Sequence, residues 1–458
     1  MIKSGKKAVM MAIAGLDPSG GAGLAADVKA ASALGVFCTP VLAAITVQDT
    51  RGVRAIRPIE PGLLRAQAEA VIKDIGPEWV KVGVLYSVEN IRTVASLAEE
   101  HGLKLVVDPI ISSSSGQPLL APGGLEALRS ELIPNAFAIT PNAREASLLS
   151  GLEVKSPEDA EEAARALASL GPKVVIIKGG HLGGQKAVDI LLFKGHIHVF
   201  KRPRLGWDAH GTGCAFSSAL AACLALGMDV VKAVEEAGGL AWSAIRWSVQ
   251  VGQGRPVAEP LATLLREAER YQVLEQVRKA VELLTSEPGL APFVPEVGTQ
   301  VAMAISMPEG PEDVAAVEGR LVRVLGSIRP VGSVRFGASS HMARLVLTAM
   351  EHDSRARAAM NLRYDPRLLE ALREMGLLVA SFDRAREPPE VAEVEGATLP
   401  WGLREAIRAC GGRLPDVVYD LGGLGKEPMI RLIGRNAEEV AKKALRAVRT
   451  LLGSRKHS

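Results

Sequence analysis

Short apolar runs that recur between helical stretches constrain this chain more than any other feature. From Ala8 to about Leu240 the runs VMMAIA, TPVLAAITV, WVKVGVL, LKLVVD, AFAIT and KVVIIK are separated by amphipathic or turn-rich sequence. Near-continuous apolar strands interleaved with helices are buried on both faces, which predicts a mostly parallel sheet covered by helices. A second alternation starts near Phe293 with VAMAI, a helical-looking EDVAAVEGRLVRVLG, then SVRF, HMARLVLTAM, LLVASF, VVYDLGG and MIRLIG, and closes on an amphipathic segment from Asn436 to about Leu452. Between the two, QGRPVAEP leads into the charged run LATLLREAERYQVLEQVRKAVELL, which reads as a connecting helix. The expected organisation is an α/β domain over 1–260, a helical connector over 261–289 and a smaller α/β domain over 290–458.

Composition narrows the function classes. The 458 residues exceed one typical domain, and a 48% hydrophobic share is ample for two cores. A formal net charge of +3, with both signs interspersed and no basic block, argues against a nucleic-acid partner. No apolar run approaches the ~20 residues of a membrane helix, so a membrane is not expected either. Cys38, Cys214, Cys223 and Cys410 are scattered without CxxC spacing, which fits a reducing cytoplasm. Small-molecule chemistry is favoured, and a homo-oligomer is left open.

Two glycine-rich turns stand out in the first half. In AIAGLDPSGGAGLAADVKA a strand passes through Gly15, Gly20, Gly21 and Gly23 into a helix near Leu24. Gly21 to Ala26 matches the dinucleotide pattern GxGxxA, but Leu16 to Gly20 intervene after the strand and no ribose-binding acid follows. Further on, Ala209-His210-Gly211-Thr212-Gly213-Cys214 precedes the small-residue helix AFSSALAACLALG. Its N-terminal amides and the helix dipole suit an anion. The same field is expected to lower the Cys214 thiol and fit it to act as a base.

Together with ITVQDT, DPIISSSSGQPLL, TPNAREA and IKGGH, these stretches resemble the hydroxymethylpyrimidine (phosphate) kinases of the ribokinase-like superfamily, in family order over roughly residues 8 to 260. The resemblance implies a three-layer fold and phosphoryl transfer from ATP with Mg²⁺. It assigns Asp17, Gly21, Ala22 and Gln48 to the pyrimidine, and a planar carboxamide suits an aminopyrimidine edge. It assigns Asn142, Asp189 and Thr212 to the nucleotide, with Asp108 and Glu145 near the metal. Lys178 would reach the transferring phosphate, Gly211 and Gly213 would line the anion hole, and Cys214 would take the hydroxymethyl proton. Many relatives carry Lys or Thr where Ser114 stands, which bears on the second phosphorylation. Sugar kinases of the wider group use aspartate at the Cys214 position, so cysteine favours the pyrimidine and pyridoxal-type branch.

In the second half, Arg320 and Arg323 would lie one turn apart on the expected helix and could share an anion. Ser339, Ser340 and His341 fall at a helix start, and Asp420 to Glu427 form a glycine-rich loop with Gly422, Gly423 and Lys426 that is not a Walker A motif. With PEVGTQVAMAI and KEPMIRLIG, these features resemble the archaeal-type thiamine-phosphate synthase domain over about 290 to 452. That implies joining hydroxymethylpyrimidine diphosphate to thiazole phosphate. Arg320 would stabilise phosphate or diphosphate and His341 would orient a ligand or move a proton. Ser339, Ser340, Arg323 and the Gly422–Lys426 stretch would hold a phosphate. The alternative is a pyridoxal-type kinase whose second domain only senses thiamine phosphate.

Overall fold

The computed structural model describes residues 7–113, 116–180, 182, 184–423 and 425–454, together with the backbone alone at 392, 453 and 454. The chain divides into two compact units, Met1–Leu264 and Leu265–Ser458. No helix among the described residues is long and apolar enough to cross a membrane.

The first unit is built on strands β1 (Val9–Leu16), β2 (Phe37–Asp49), β3 (Gly52–Pro58), β4 (Trp79–Val82), β5 (Lys104–Val107), β6 (Ala136–Ile139), β7 (Val174–Ile177), β8 (Lys186–Phe193) and β9 (His196–Pro203). They form one sheet in the order β3-β2-β1-β4-β5-β6-β7-β8-β9. Pairing is parallel from β2 across to β7 and antiparallel at both ends, β2 with β3, β7 with β8 and β8 with β9. The apolar strand runs explain the layers, because alternate residues face opposite sides. Met11 and Ile13 join Leu105 and Val107 in one core, whereas Met10, Ala12 and Ala14 join Val106 in the other. The second core also contains the small-residue helix Thr212–Ala225, buried at nearly every position. Small side chains let that helix approach the sheet closely, which carries its N-terminus to the strand ends.

The second unit holds β10 (Val301–Ala304), β11 (Val314–Val317), β12 (Leu321–Val324), β13 (Ser327–Pro330), β14 (Val334–Phe336), β15 (Ala358–Arg363), β16 (Val379–Ser381), β17 (Val417–Asp420) and β18 (Met429–Gly434). The main sheet runs β14-β11-β10-β15-β18-β17-β16, and β12 with β13 forms a separate hairpin. Pairing is antiparallel except between β16 and β17. Met303 and Met360 point into one core, and Ala302 and Ala359 into the other.

Two expectations give way here. The charged run expected to be a connector is the helix Ala262–Thr285. Its stripe of Val273, Val277, Ala280 and Leu284 is buried in the second unit's core beside Val440, Ala444 and Val448 of the last helix. That spacing of three and four residues makes one apolar face, so most of this segment belongs to the domain it precedes. The helix expected over EDVAAVEGRLVRVLG is instead β11, a turn and β12. Gly319 and Arg320 take consecutive left-handed conformations, φ 68° and 71°, which no α-helix tolerates, and valine-rich VAAV and LVRV suit strands.

Candidate active sites

In the first unit, β1 neighbours both β2 and β4, so the crossovers diverge there and leave a crevice beyond the strands' carboxyl ends. A cavity of about 190 Å³ occupies that place. Gly15 and Leu16 of β1, Lys81 of β4, and Asp108, Asn142 and Lys178 immediately after β5, β6 and β7 line it. The N-terminus of helix Thr212–Ala225 closes the cavity with Gly211, Gly213 and Cys214.

The two glycine turns shape this cavity by packing against each other. Gly211 has φ 90°, and a methyl group there would lie 1.8 Å from the Gly21 carbonyl oxygen. Gly23 has φ 56°, and a methyl group would meet the Gly15 carbonyl oxygen at 2.2 Å. Only glycine satisfies both the left-handed backbone and the contact. Asp17 fixes the first turn by accepting hydrogen bonds from the Ser19 and Ala22 amides at 2.8 and 2.9 Å. Its Oδ2 lies 2.8 Å from His210 Nε2, and that nitrogen is 2.9 Å from the side-chain amide of Gln48. Burial raises the Asp17 carboxyl, but hydrogen bonds from His210 and Ser19 outweigh it and hold the group below its ordinary range.

Lys178 Nζ donates to Asp108 Oδ1 at 2.8 Å, beside Gly213. Burial alone would lower this ammonium, but Asp108 and Glu145 hold it above its ordinary range, so it is a fixed cation in the cavity. Asn142 and Glu145 form a reciprocal capping box at the start of helix Ala143–Ser150, which carries the Glu145 carboxyl inward. Burial pushes that carboxyl up to about 7, with Lys178 opposing and Asp108 reinforcing the shift. Asp108 and Glu145 offer hard oxygen donors of the kind Mg²⁺ takes when phosphates and water complete its shell. Among the described residues, no group of three or more His, Cys, Asp or Glu side chains is arranged to hold a metal alone.

The lowered thiol expected at Cys214 is not found. Burial pushes it up to about 11, with Asp27 and Asp108 adding to the shift and Lys81 opposing it. Burial and these two carboxylates outweigh the Lys81 charge and the backbone hydrogen bond from Gly23, which favour the thiolate. Asp189 and Thr212 do not line the cavity. Asp189 accepts from the Gly179 amide at 3.0 Å and pairs with Arg202, so it braces the loop after Lys178, and the Thr212 hydroxyl bonds the Ala209 carbonyl. Gly21 is also set back from the cavity, while Ala22 and Gln48 line it. Ser114 lies outside the described residues.

Sequence reasoning missed Lys81 and Asp27. Both are fully buried, paired at 2.8 Å, and Asp27 also accepts from Ser218 one helical turn beyond Cys214. The signal was a lysine inside the apolar run WVKVGVL, since lysine is almost never fully buried unless paired.

The second unit has a cavity of about 390 Å³ whose lining includes Arg320, Ser339, His341 and Lys426. Arg320 donates to the Val297 carbonyl at 2.9 Å, and Ser339 caps helix Ser340–His352. Burial, then Arg320 and Arg344, hold the His341 imidazole below its ordinary range. Arg323, Ser340, Gly422 and Gly423 do not line this cavity. With no helix at this point, Arg323 sits exposed on β12 and cannot share an anion with Arg320 by helical spacing. Gly422, at φ 79°, shapes the loop, where a methyl group would meet the Lys426 carbonyl oxygen at 2.4 Å. Arg384 and Arg431 also line the cavity and were not anticipated.

Comparison with known proteins decides the family. A family described as phosphomethylpyrimidine kinase matches residues 17–258, and one described as thiamine-phosphate synthase ThiN matches residues 276–446. The bifunctional thiamine biosynthesis protein ThiDN of Methanocaldococcus jannaschii is 32% identical over 438 residues, 95% of this chain and 97% of its own. The chain belongs to this two-domain family. The hydroxymethylpyrimidine/phosphomethylpyrimidine kinase of Aquifex aeolicus is 38% identical over 253 residues, 55% of this chain and 99% of that one. An ADP complex of Bacillus subtilis pyridoxal kinase superposes with a TM-score of 0.53 at 33% identity, covering 57% of this chain and 99% of its own. The first unit therefore has the ribokinase-like fold, and the chain is an enzyme of thiamine biosynthesis with a kinase half and a synthase half.

Proposed function

We propose that the first unit phosphorylates hydroxymethylpyrimidine and then its monophosphate with ATP, and that the second joins the diphosphate to thiazole phosphate, giving thiamine phosphate and diphosphate, in the cytoplasm. The observation that carries the kinase reading is the convergence of Lys178, Asp108, Glu145 and the N-terminus of helix Thr212–Ala225 on one cavity with the Asp17–His210–Gln48 cluster. The cluster offers donors and acceptors to an aminopyrimidine. Asp108 and Glu145 would hold Mg²⁺, which neutralises phosphate charge when bound. Lys178 and the first-turn amides Gly213 and Cys214 neutralise charge on the transferred group.

Cys214 rests as a thiol and can accept the hydroxymethyl proton only as the thiolate, so its own proton must pass to solvent first and the transfer falls late. A loose transition state permits this, because the attacking oxygen needs little prior deprotonation. In the synthase cavity Arg320 stabilises the departing diphosphate, and His341, neutral near pH 7, orients the reactants. A sensing role for the second unit is the competing reading, and pyridoxal is the competing kinase substrate because the superposed structure is a pyridoxal kinase.

Separate assays of Cys214→Ala and His341→Ala in the full chain test the division. Cys214→Ala should lower kinase turnover at least ~10²-fold, the usual scale of general acid-base catalysis, and leave synthase turnover on supplied diphosphate within twofold. His341→Ala should do the reverse. Equal loss of both activities in either variant contradicts the assignment, as does faster phosphorylation of pyridoxal than of hydroxymethylpyrimidine.

A further inference from the structure

Resting on the synthase reading of the second cavity, the geometry points to a second phosphate-binding end of that cavity, formed by Arg384 and Arg431 around Asp420 and apart from Arg320 and His341. Arg431 Nη1 donates to Asp420 Oδ2 at 2.6 Å, and Arg384 Nε donates to Asp420 Oδ1 at 2.6 Å. Asp420 is completely buried, and the two arginine side chains are only 5% and 12% exposed. Both guanidinium groups also lie against the Phe382 ring, at 5.9 and 5.7 Å from its centroid.

One carboxylate therefore faces two guanidinium groups, leaving a positive charge that Asp420 alone does not balance, while Glu395 and Glu427 also line the cavity. Burying a net charge is expensive unless a partner of opposite sign meets it. Burial and the neighbouring Arg384 depress the Arg431 guanidinium, while Asp420 opposes them. Asp420 is the only hydrogen-bond acceptor that either arginine has among the described residues, so Arg384 Nη1 and Arg431 Nη2 remain as donors. Both arginines line the cavity. Two planar forks with spare N–H groups match the oxygens of a phosphoryl group.

The cluster and Arg320 have separate partners: Arg431, on β18, and Arg384 both bond Asp420, whereas Arg320, after β11, bonds the Val297 carbonyl. Lys426 adds a cation from the loop after Asp420, whose Gly422 amide donates to Asp420 Oδ1 at 2.9 Å. A reaction between a diphosphate ester and a phosphate ester needs two anion-binding ends, and the cavity has two cationic clusters.

Calorimetric titration of the full chain with inorganic diphosphate, thiamine phosphate and thiamine tests the site. Arg384→Gln removes the charge while leaving the Arg431–Asp420 pair in place. It should weaken diphosphate at least tenfold, placing the leaving group here, or abolish at least tenfold of the preference for thiamine phosphate over thiamine, placing the thiazole phosphate here. Either result supports the site, provided the unfolding temperature stays within a few degrees, and Arg384→Lys should keep an intermediate affinity if the glutamine variant does not fold. Unchanged affinities for all three compounds overturn it. Wild-type protein that binds none of them sinks the synthase reading itself, a different outcome from a silent Arg384 variant.

Discussion

At Gly211 one hydrogen atom separates two turns that must touch. The contact with Gly21, the φ of 90° and the position at the head of helix Thr212–Ala225 leave no room for a methyl group. Left-handed backbone alone costs a non-glycine residue roughly 1–3 kcal/mol, and the clash adds displacement of the helix terminus. Gly211→Ala should therefore lower the denaturant midpoint of the first unit and reduce kinase kcat more than tenfold. Wild-type stability and turnover would contradict the packing described for the two turns. His341 carries a second residue-scale expectation. Burial with Arg320 and Arg344 lowers its folded pKa beneath the unfolded value, so the unfolded chain binds the proton first, and the contribution to stability is lost as pH falls through that window. Histidine-selective NMR should give a midpoint below 6.5, and Arg344→Gln should move it upward. A wild-type midpoint at or above 6.5 would refute the electrostatics of that cavity. The residues that sequence reading missed share one physical character. Lys81 and Arg431 each interrupt an apolar strand, and their roles depend on carboxylates 54 and 11 residues away, Asp27 and Asp420, that only folding brings near.

Between β12 and β13 the turn is Leu325-Gly326, with φ 47° and 81°, the left-handed pair of a tight hairpin. Leu325 is fully exposed, so its side chain gains nothing from packing while its backbone is strained. Leu325→Asn should raise the stability of the second unit by about 1 kcal/mol, since asparagine tolerates this conformation far better. Urea unfolding followed by a second-unit probe measures it, and a loss of stability would show that the turn is not as described. The same hairpin explains why the element was misread from sequence. EDVAAVEGRLVRVLG places apolar residues at spacings that a helix also allows, and a glycine inside such a run does not announce that the arginine after it will also be left-handed. The parallel strands of the first unit were legible because continuous apolar runs bounded by turns leave few alternatives. The helix Ala262–Thr285 was legible as a helix, but its destination was not, because the stripe of Val273, Val277, Ala280 and Leu284 is diluted by charge on its other faces.

At the scale of the whole molecule, the two units bring different devices to the same kind of ligand. The first places a lysine, two carboxylates and a helix N-terminus at the ends of parallel strands. The second gathers arginines and a histidine at a mostly antiparallel sheet. In both, residues of the quoted motifs line the cavity, while Lys81 and Arg431, which pair with the buried Asp27 and Asp420, interrupt apolar strands. In the proposed function one chain carries hydroxymethylpyrimidine through to thiamine phosphate. The direct measurement is incubation of the purified full chain with hydroxymethylpyrimidine, ATP, Mg²⁺ and thiazole phosphate, with products followed over time by chromatography and mass spectrometry. Pyrimidine monophosphate and diphosphate should appear and then decline as thiamine phosphate accumulates with an equivalent of diphosphate. Phosphorylated pyrimidine that persists beside unconsumed thiazole phosphate would contradict the claim.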